Sequence, residues 1–401
     1  MDLHRLSELA QPADTNVLLL VLDGLGGLPM RPGGPTALEA ANTPHLDELA
    51  RGGTCGLHEP VAAGITPGSG PGHLALFGYD PLVYVTGRGV LEALGIEFPL
   101  EPTDIAVRAN FCTVDGSGVI TDRRAGRIST GEAAPLVEAL DAIEMDGAEC
   151  FVRHVKEHRF VVVLRPDEPM SAEVDDTDPG RTGEPPHDPR ARDDASRPAA
   201  ALLAQWIDRA REVLAGRDTA NMALLRGASV RPDWPRFPDV FGMSASATAA
   251  YPMYRGVASL VGMEPGAVPD GAAALIPAYE SLVRRYDFSF LHFKSPDKAG
   301  EDGDFDAKVA VIEEADAVVP GLMAAGPDVV VVTGDHSTPA LLKSHSWHPV
   351  PFLIHGGAAR NDPATTFGET ACRSGVHGLR RGCELMPLAA ARAGRLAKYG
   401  A

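Results

Sequence analysis

The chain reads as an α/β protein with a mostly parallel central sheet, and three short apolar runs predict it. Val17–Leu22 ends at Asp23, Phe288–Phe293 leads through Lys294-Ser295-Pro296 to Asp297, and Val329–Val332 leads through Thr333-Gly334 to Asp335-His336. Near-continuous apolar runs of this length are what strands buried on both faces require. In open α/β sheets, ligands gather at the carboxyl ends of the strands. Three strand ends carrying carboxylate or imidazole therefore predict one metal centre assembled from distant parts of the chain.

The remaining elements follow in order. After Asp23 comes a Gly/Pro-rich loop, Gly24 to Pro35. Thr43-Pro44 opens a helix, with Thr43 as N-cap and Pro44 at the first helical position. Leu46, Leu49 and Ala50 give it a core face, and Gly52-Gly53 ends it. A second glycine-rich loop, Gly64 to Gly72, precedes a helix-like stretch from His73 to Phe77. From Asp104 the texture changes to short alternating strands, among them Ile105–Phe111 and Phe160–Leu164, with a helix over Ala133–Ala142. Asp167 to Pro198 is rich in Pro, Asp, Gly and Arg and predicts a long loop. Helical periodicity returns over Ala199–Leu214, and a βα rhythm runs from Met222 to the end. The expected organisation is a discontinuous core, 1–103 and 220–401, with an inserted domain over 104–219 that closes as a lid on hinges near residues 103 and 220.

Composition narrows the function. The chain has 401 residues, 44% hydrophobic and 22% charged, which is ample for a sizeable core. Its net charge of −18 argues against nucleic acid and anionic membranes as partners. A phosphorylated metabolite would need a cation or a local basic patch to offset that field. The five cysteines, Cys55, Cys112, Cys150, Cys372 and Cys383, are odd in number and form no Cys-x-x-Cys, as suits a reducing cytoplasm. No signal core precedes Asn16, and no apolar run approaches the ~20 residues of a membrane span. The sequence leaves the oligomeric state open.

Asp335-His336, behind a four-Val strand, is the strongest ligand pair. His345 and His348 follow within one short loop, and one of them suffices as a further ligand. Ser69, flanked by Gly68 and Gly70, has two readings. One is a turn or cap residue. The other is a nucleophile whose oxyanion and acquired phosphate are stabilised by a helix N-terminus and a metal ion. Asp297 and Glu301, four apart, share one helix face and can hold one cation, Asp297 having the better claim because it directly follows the strand. The inserted region carries Arg123, Arg124, Arg127, Arg153, Arg159 and Arg165. Singly these are solvated surface residues; together they make a clamp for phosphate and carboxylate.

In this order the segments resemble the archaeal-type cofactor-independent phosphoglycerate mutases of the alkaline phosphatase superfamily. The resemblance rests on Leu22-Asp23-Gly24-Leu25-Gly26-Gly27, on Gly33 to Pro44, and on Gly68 to Pro81. It continues through Asp122-Arg123-Arg124-Ala125-Gly126-Arg127, Asp176-Thr177-Asp178-Pro179 and the Asp297 and Asp335-His336 segments. It implies an alkaline-phosphatase-like core and two divalent cations, manganese foremost, with magnesium, cobalt or zinc as substitutes. One cation would be held by Asp23, Ser69, Asp335 and His336, the other by Asp297, Glu301 and His345. It also implies transfer of phosphate between 3- and 2-phosphoglycerate through phospho-Ser69, with Arg123, Arg124, Arg127 and Arg159 holding substrate. A phosphohydrolase or phosphotransferase for another small metabolite is the alternative, since a scaffold does not fix a reaction. Two positions depart from the pattern: Glu301 stands where a His is common, and Gly180 follows Pro179 where a His is expected.

Overall fold

The computed structural model of the chain describes residues 2–360 and 362–400. Two compact units emerge: Met1–Val85 with Trp234–Ala401, and Thr86–Asp233. Strands are numbered along the chain. The first unit opens with β1 (Val17–Leu22) and β2 (Gly53–Glu59). The second holds β3 (Ile105–Val114), β4 (Ile120–Asp122), β5 (Ala148–Lys156), β6 (Arg159–Pro166) and β7 (Met222–Val230). The first unit resumes with β8 (Ala245–Thr248), β9 (Glu264–Pro265), β10 (Phe288–Phe293), β11 (Val329–Thr333), β12 (Val350–Gly356) and β13 (Leu379–Arg381).

The sheet of the first unit has eight strands in the order β13-β2-β12-β11-β1-β10-β8-β9. Only β12 runs against its neighbours, so the α/β, mostly parallel expectation holds. Every residue of β1, β10 and β11 is buried. Leu18, Leu20 and Leu22 of β1 share one core cluster with Leu46 and Leu49 of the helix Pro44–Arg51 and with Ile312 and Val319 of the helix Phe305–Ala324. Val17, Leu19 and Val21 alternate onto the other face and are equally buried. β1 lies between β10 and β11, with Leu22 beside Phe293 and Val21 beside Thr333. Three chain segments therefore leave the sheet together at one edge.

Two local expectations shift. Pro44 does start its helix, but the Thr43 side chain accepts no cap hydrogen bond. The Asp316 carboxylate accepts instead from the N–H groups of His45 (3.1 Å) and Leu46 (2.7 Å). A full negative charge at the positive helix end outcompetes a neutral hydroxyl. The helix expected from His73 begins at Ser69, with Gly68 as N-cap.

The second unit is an antiparallel sheet in which β3 pairs with β4, β6 and β7, and β5 with β6. Leu203, Trp206 and Ile207 of the helix Arg197–Val213 pack on Phe111 and Phe160. This unit is wider than the expected 104–219. The helix Arg88–Gly95 approaches β3 so closely that a Cβ on Gly89 would lie 2.1 Å from the Ala106 carbonyl oxygen. β7 pairs along β3, drawing residues 222–230 into the same sheet. The rhythm from Met222 onward looked continuous because a strand pattern does not reveal its partner. Among the described residues no helix is long and apolar enough to cross a membrane.

Candidate metal centre

Asp23 follows β1 directly, and Asp335-His336 follows β11 after one glycine. Asp297 lies in the first turn of the helix Ser295–Asp302, which succeeds β10. Because β1, β10 and β11 are parallel neighbours, these side chains converge. Asp23, Asp335 and His336, all fully buried, place one ligand atom each within 4.8 Å of one another. His336 Nε2 is 3.4 Å from Asp23 Oδ1 and 3.2 Å from Asp335 Oδ2. Ser69 Oγ, at the first residue of the helix Ser69–Leu76, is 3.2 Å from the same nitrogen.

Asp23 Oδ1 and Asp335 Oδ2 are buried with no hydrogen-bond partner. Orphaned buried carboxylate oxygens are costly unless something positive meets them. With an imidazole nitrogen and a hydroxyl beside them, they make a donor set that fits a divalent cation. The electrostatics agree. Burial, reinforced by the charges of Asp23 and Asp297, holds the Asp335 carboxyl well above the usual range. Burial also opposes ionisation of Asp23, but the Lys294 ammonium and His292 overcome it and hold that carboxyl well below the usual range. Burial keeps His336 neutral, its pKa well below the usual value. A neutral imidazole is the form that binds metals.

A second cluster joins Asp297, His336 and His345. His345 Nε2 lies 3.5 Å from Asp297 Oδ1 and 3.9 Å from Glu301 Oε1. His345 Nδ1 is 3.0 Å from the Pro67 carbonyl oxygen, to which it donates, leaving the Nε2 lone pair facing the carboxylates. His336 Nδ1 lies 3.0 Å from Thr338 Oγ1, whose hydroxyl donates to Asp297 Oδ1 at 2.6 Å. That chain sets the His336 tautomer and turns its Nε2 toward Asp23 and Asp335. Glu301 stands at the rim, its side chain 55% exposed. His348 bonds Ser346 and stacks on Trp347, so His345 is the imidazole that joins the cluster.

Several residues here gave no sequence signal. Tyr254 OH donates to Asp23 Oδ2 at 2.6 Å, and His292 Nε2 lies 3.1 Å from that same oxygen. Lys294 Nζ is 3.0 Å from it and donates to Asp297 Oδ2 at 2.6 Å. Burial works against the Lys294 ammonium, yet Asp23, Tyr254 and Asp297 raise its pKa and keep it charged. His73, one helical turn after Ser69, lies 2.8 Å from the Ser69 carbonyl oxygen and 3.3 Å from Asp335 Oδ2. Lys308 is fully buried and donates to the carbonyls of Gly24, Gly26 and Thr338, tying two ligand loops together. His292 lies inside the apolar run Phe288–Phe293 and Lys294 directly after it, so neither stands apart by spacing; Tyr254 sits on a separate helix, and nothing local marks it.

In the Thr86–Asp233 unit the arginines separate. Arg123 is committed: its Nε and Nη2 donate to the two oxygens of buried Asp178 at 2.8 and 2.7 Å. Arg123, expected in the clamp, is thus held in an internal bidentate pair. Arg153 pairs with Asp141 and Arg165 with Asp104. Arg124 and Arg127 are exposed, and Arg159 is half-buried, 3.4 Å from Glu157. Gly180 also finds its reason: its N–H donates to Asp178 Oδ1 and its φ is +82°, which a His would adopt only with strain.

Comparison with known proteins shows the family. Residues 50–220 match the family model described as 2,3-bisphosphoglycerate-independent phosphoglycerate mutase. A probable 2,3-bisphosphoglycerate-independent phosphoglycerate mutase of Thermus thermophilus is 50% identical, covering 99% of this chain and 98% of its own length. One from Deinococcus radiodurans is 48% identical over 98% of each chain. Among solved structures, a cofactor-independent phosphoglycerate mutase from Thermoplasma acidophilum superposes with a TM-score of 0.71 at 31% identity, over 95% of this chain and 100% of that one. A Pyrococcus horikoshii protein reaches 0.83 at 31% identity, over 96% and 99%. The chain belongs to the 2,3-bisphosphoglycerate-independent phosphoglycerate mutases, a family of isomerases.

Proposed function

We propose that the chain interconverts 2- and 3-phosphoglycerate through a phosphoserine at Ser69, in a centre that holds two divalent cations. One observation carries the reading: Ser69 Oγ stands at the start of a helix, 3.2 Å from His336 Nε2, beside two orphaned carboxylate oxygens. Asp23, Ser69, Asp335 and His336 are assigned to one cation; Asp297, Glu301 and His345 to the other. Bound divalent cations, manganese foremost, lower the pKa of the serine hydroxyl and neutralise charge on the phosphoryl oxygens.

The rest is done by the chain. Ser69 Oγ attacks the phosphorus of 3-phosphoglycerate, and the bond to the 3-hydroxyl oxygen breaks. Free N–H groups in the first helical turn and the helix dipole favour the phosphate now on Ser69. The glycerate turns and presents its 2-hydroxyl oxygen to the same phosphorus, and the bond to Ser69 breaks in turn. Proton gain and loss balance over the two transfers. Glycerate must outlast water at the phosphoserine, or the reaction becomes hydrolysis. We assign its anionic groups to Arg124, Arg127 and Arg159, while Arg123 orders its own loop through Asp178.

The test is to incubate purified chain with 3-phosphoglycerate and manganese while measuring 2-phosphoglycerate and free phosphate together. Mutase turnover should dominate, and Ser69→Ala should abolish it. Free phosphate as the main product would replace this reading with a phosphohydrolase.

A further inference from the structure

Lys294 stands between the two cation clusters and touches both. It follows β10 by one residue and caps the helix Ser295–Asp302. An ammonium has three donors, and three acceptors surround this one: Tyr254 Oη at 2.8 Å, Asp297 Oδ2 at 2.6 Å and Asp23 Oδ2 at 3.0 Å. Tyr254 spends its own proton on Asp23 Oδ2, so its oxygen is free to accept from Lys294. The position of Nζ is fixed from three sides.

The consequence lies in which oxygens are taken. Asp23 belongs to one cluster and Asp297 to the other. Lys294 holds the Oδ2 atom of each. The Oδ1 atoms are turned the other way: that of Asp23 faces His336 Nε2 at 3.4 Å, and that of Asp297 faces His345 Nε2 at 3.5 Å. Each carboxylate keeps its Oδ1 toward a cation, that of Asp297 shared with the Thr338 hydroxyl at 2.6 Å, and neither can chelate through both oxygens or swing across to the neighbouring cluster.

We propose that Lys294 is a positioning residue that ties the ligand carboxylates of the two cation sites together by their outer oxygens and thereby keeps the sites separate. The inference rests on the two-cation reading above. It also has an electrostatic side. Two dications formally balance Asp23, Asp297, Asp335 and Glu301, and the Lys294 ammonium leaves the filled centre positive, as suits an arriving phosphoryl dianion. Without it, Asp23 Oδ2 keeps Tyr254 and His292, but Asp297 loses the bond on its Oδ2 and can turn toward the first cation.

The experiment is a manganese titration of metal-free protein, followed by calorimetry and by electron paramagnetic resonance. Wild type should take two ions per chain; fewer than two would overturn the two-cation reading itself. In Lys294→Met the first ion should bind at least as tightly as in wild type, since a like charge is gone. The second should weaken at least tenfold, because its carboxylate is no longer held apart. Two sites within twofold of wild type would show Lys294 to be idle. Both sites tightening together would show it to be a repelling charge with no positioning role. Circular dichroism reports whether Lys294→Met folds. If it does not, Tyr254→Phe, which removes one of the three supports, should weaken the second ion severalfold while sparing the first, and an unchanged second site there overturns the proposal equally.

Discussion

Gly72 gives the sharpest test of how the nucleophile is placed. It lies one turn into the helix that begins at Ser69, and a Cβ there would sit 2.4 Å from the carbonyl oxygen of Asp335 and 3.2 Å from its Cβ. The obstructing atom is backbone next to a proposed ligand, so no flexible side chain can yield. Ordinary contact begins near 3.4 Å, so Gly72→Ala must push the helix about 1 Å from the strand end. Ser69 Oγ would then move from 3.2 Å to roughly 4 Å from His336 Nε2. A misplacement of 1 Å at a reacting atom costs on the order of 100-fold in rate. Stability should change less: overpacking costs ~1–3 kcal/mol, and replacing a helical glycine by alanine returns up to ~1 kcal/mol. The assay is kcat and KM for 3-phosphoglycerate beside a denaturant titration. The expected result is a kcat loss of about 100-fold with at most ~2 kcal/mol of destabilisation. Wild-type kcat in a folded Gly72→Ala protein would refute the claim that this contact positions Ser69.

Four further outcomes are expected. Exhaustive chelation should remove activity and manganese restore it; full activity in demonstrably metal-free protein would end the two-cation reading. Glu301→Ala should weaken metal binding in a titration while Asp302→Ala leaves it unchanged, and equal affinities would leave Glu301 as a solvated rim residue. Arg123→Ala should destabilise by roughly 2 kcal/mol in urea, because it removes the bidentate partner of the buried Asp178 carboxylate and leaves it only Arg226 at 3.7 Å and the Gly180 N–H; a pure rise in KM at wild-type stability would instead return Arg123 to the substrate clamp. Acid should destabilise through His158, whose burial, with Arg159 adding to it, brings its pKa down from 6.5 to about 4. The unfolded chain binds that proton first, so stability is full above pH 6.5 and falls toward pH 4, by up to ~1.4 kcal/mol per pH unit. His158→Phe should flatten that limb, and identical slopes in the two proteins would show the residue already charged in the folded state.

How much of this was legible in the sequence depends on distance along the chain. Asp23, Asp297 and Asp335-His336 could be grouped because each stands just beyond an apolar strand, and parallel neighbours deliver such residues to one edge. Tyr254 and Lys308 reach the centre from separate helices, and no local spacing connects them to Asp23 or Gly24. Spacing alone leaves His345 and His348 open, while the resemblance implies His345; in the structure His345 joins the Asp297–His336 cluster and is oriented by its bond to the Pro67 carbonyl. The arginine cluster was visible as charge, but its members' commitments to Asp178, Asp141 and Asp104 depend on strand pairing in the inserted unit. The same pairing, β7 along β3, moved the unit's boundaries beyond those the composition suggested.

The central claim is that Ser69 carries the phosphate between the two hydroxyls of glycerate. The direct measurement is to quench the chain during turnover with 3-phosphoglycerate labelled at phosphorus, digest it, and locate the label by mass spectrometry. Label on the peptide containing Ser69, appearing before 2-phosphoglycerate and absent in Ser69→Ala, is the expected result. Turnover at full rate with no phosphopeptide, or label on another residue, would contradict it.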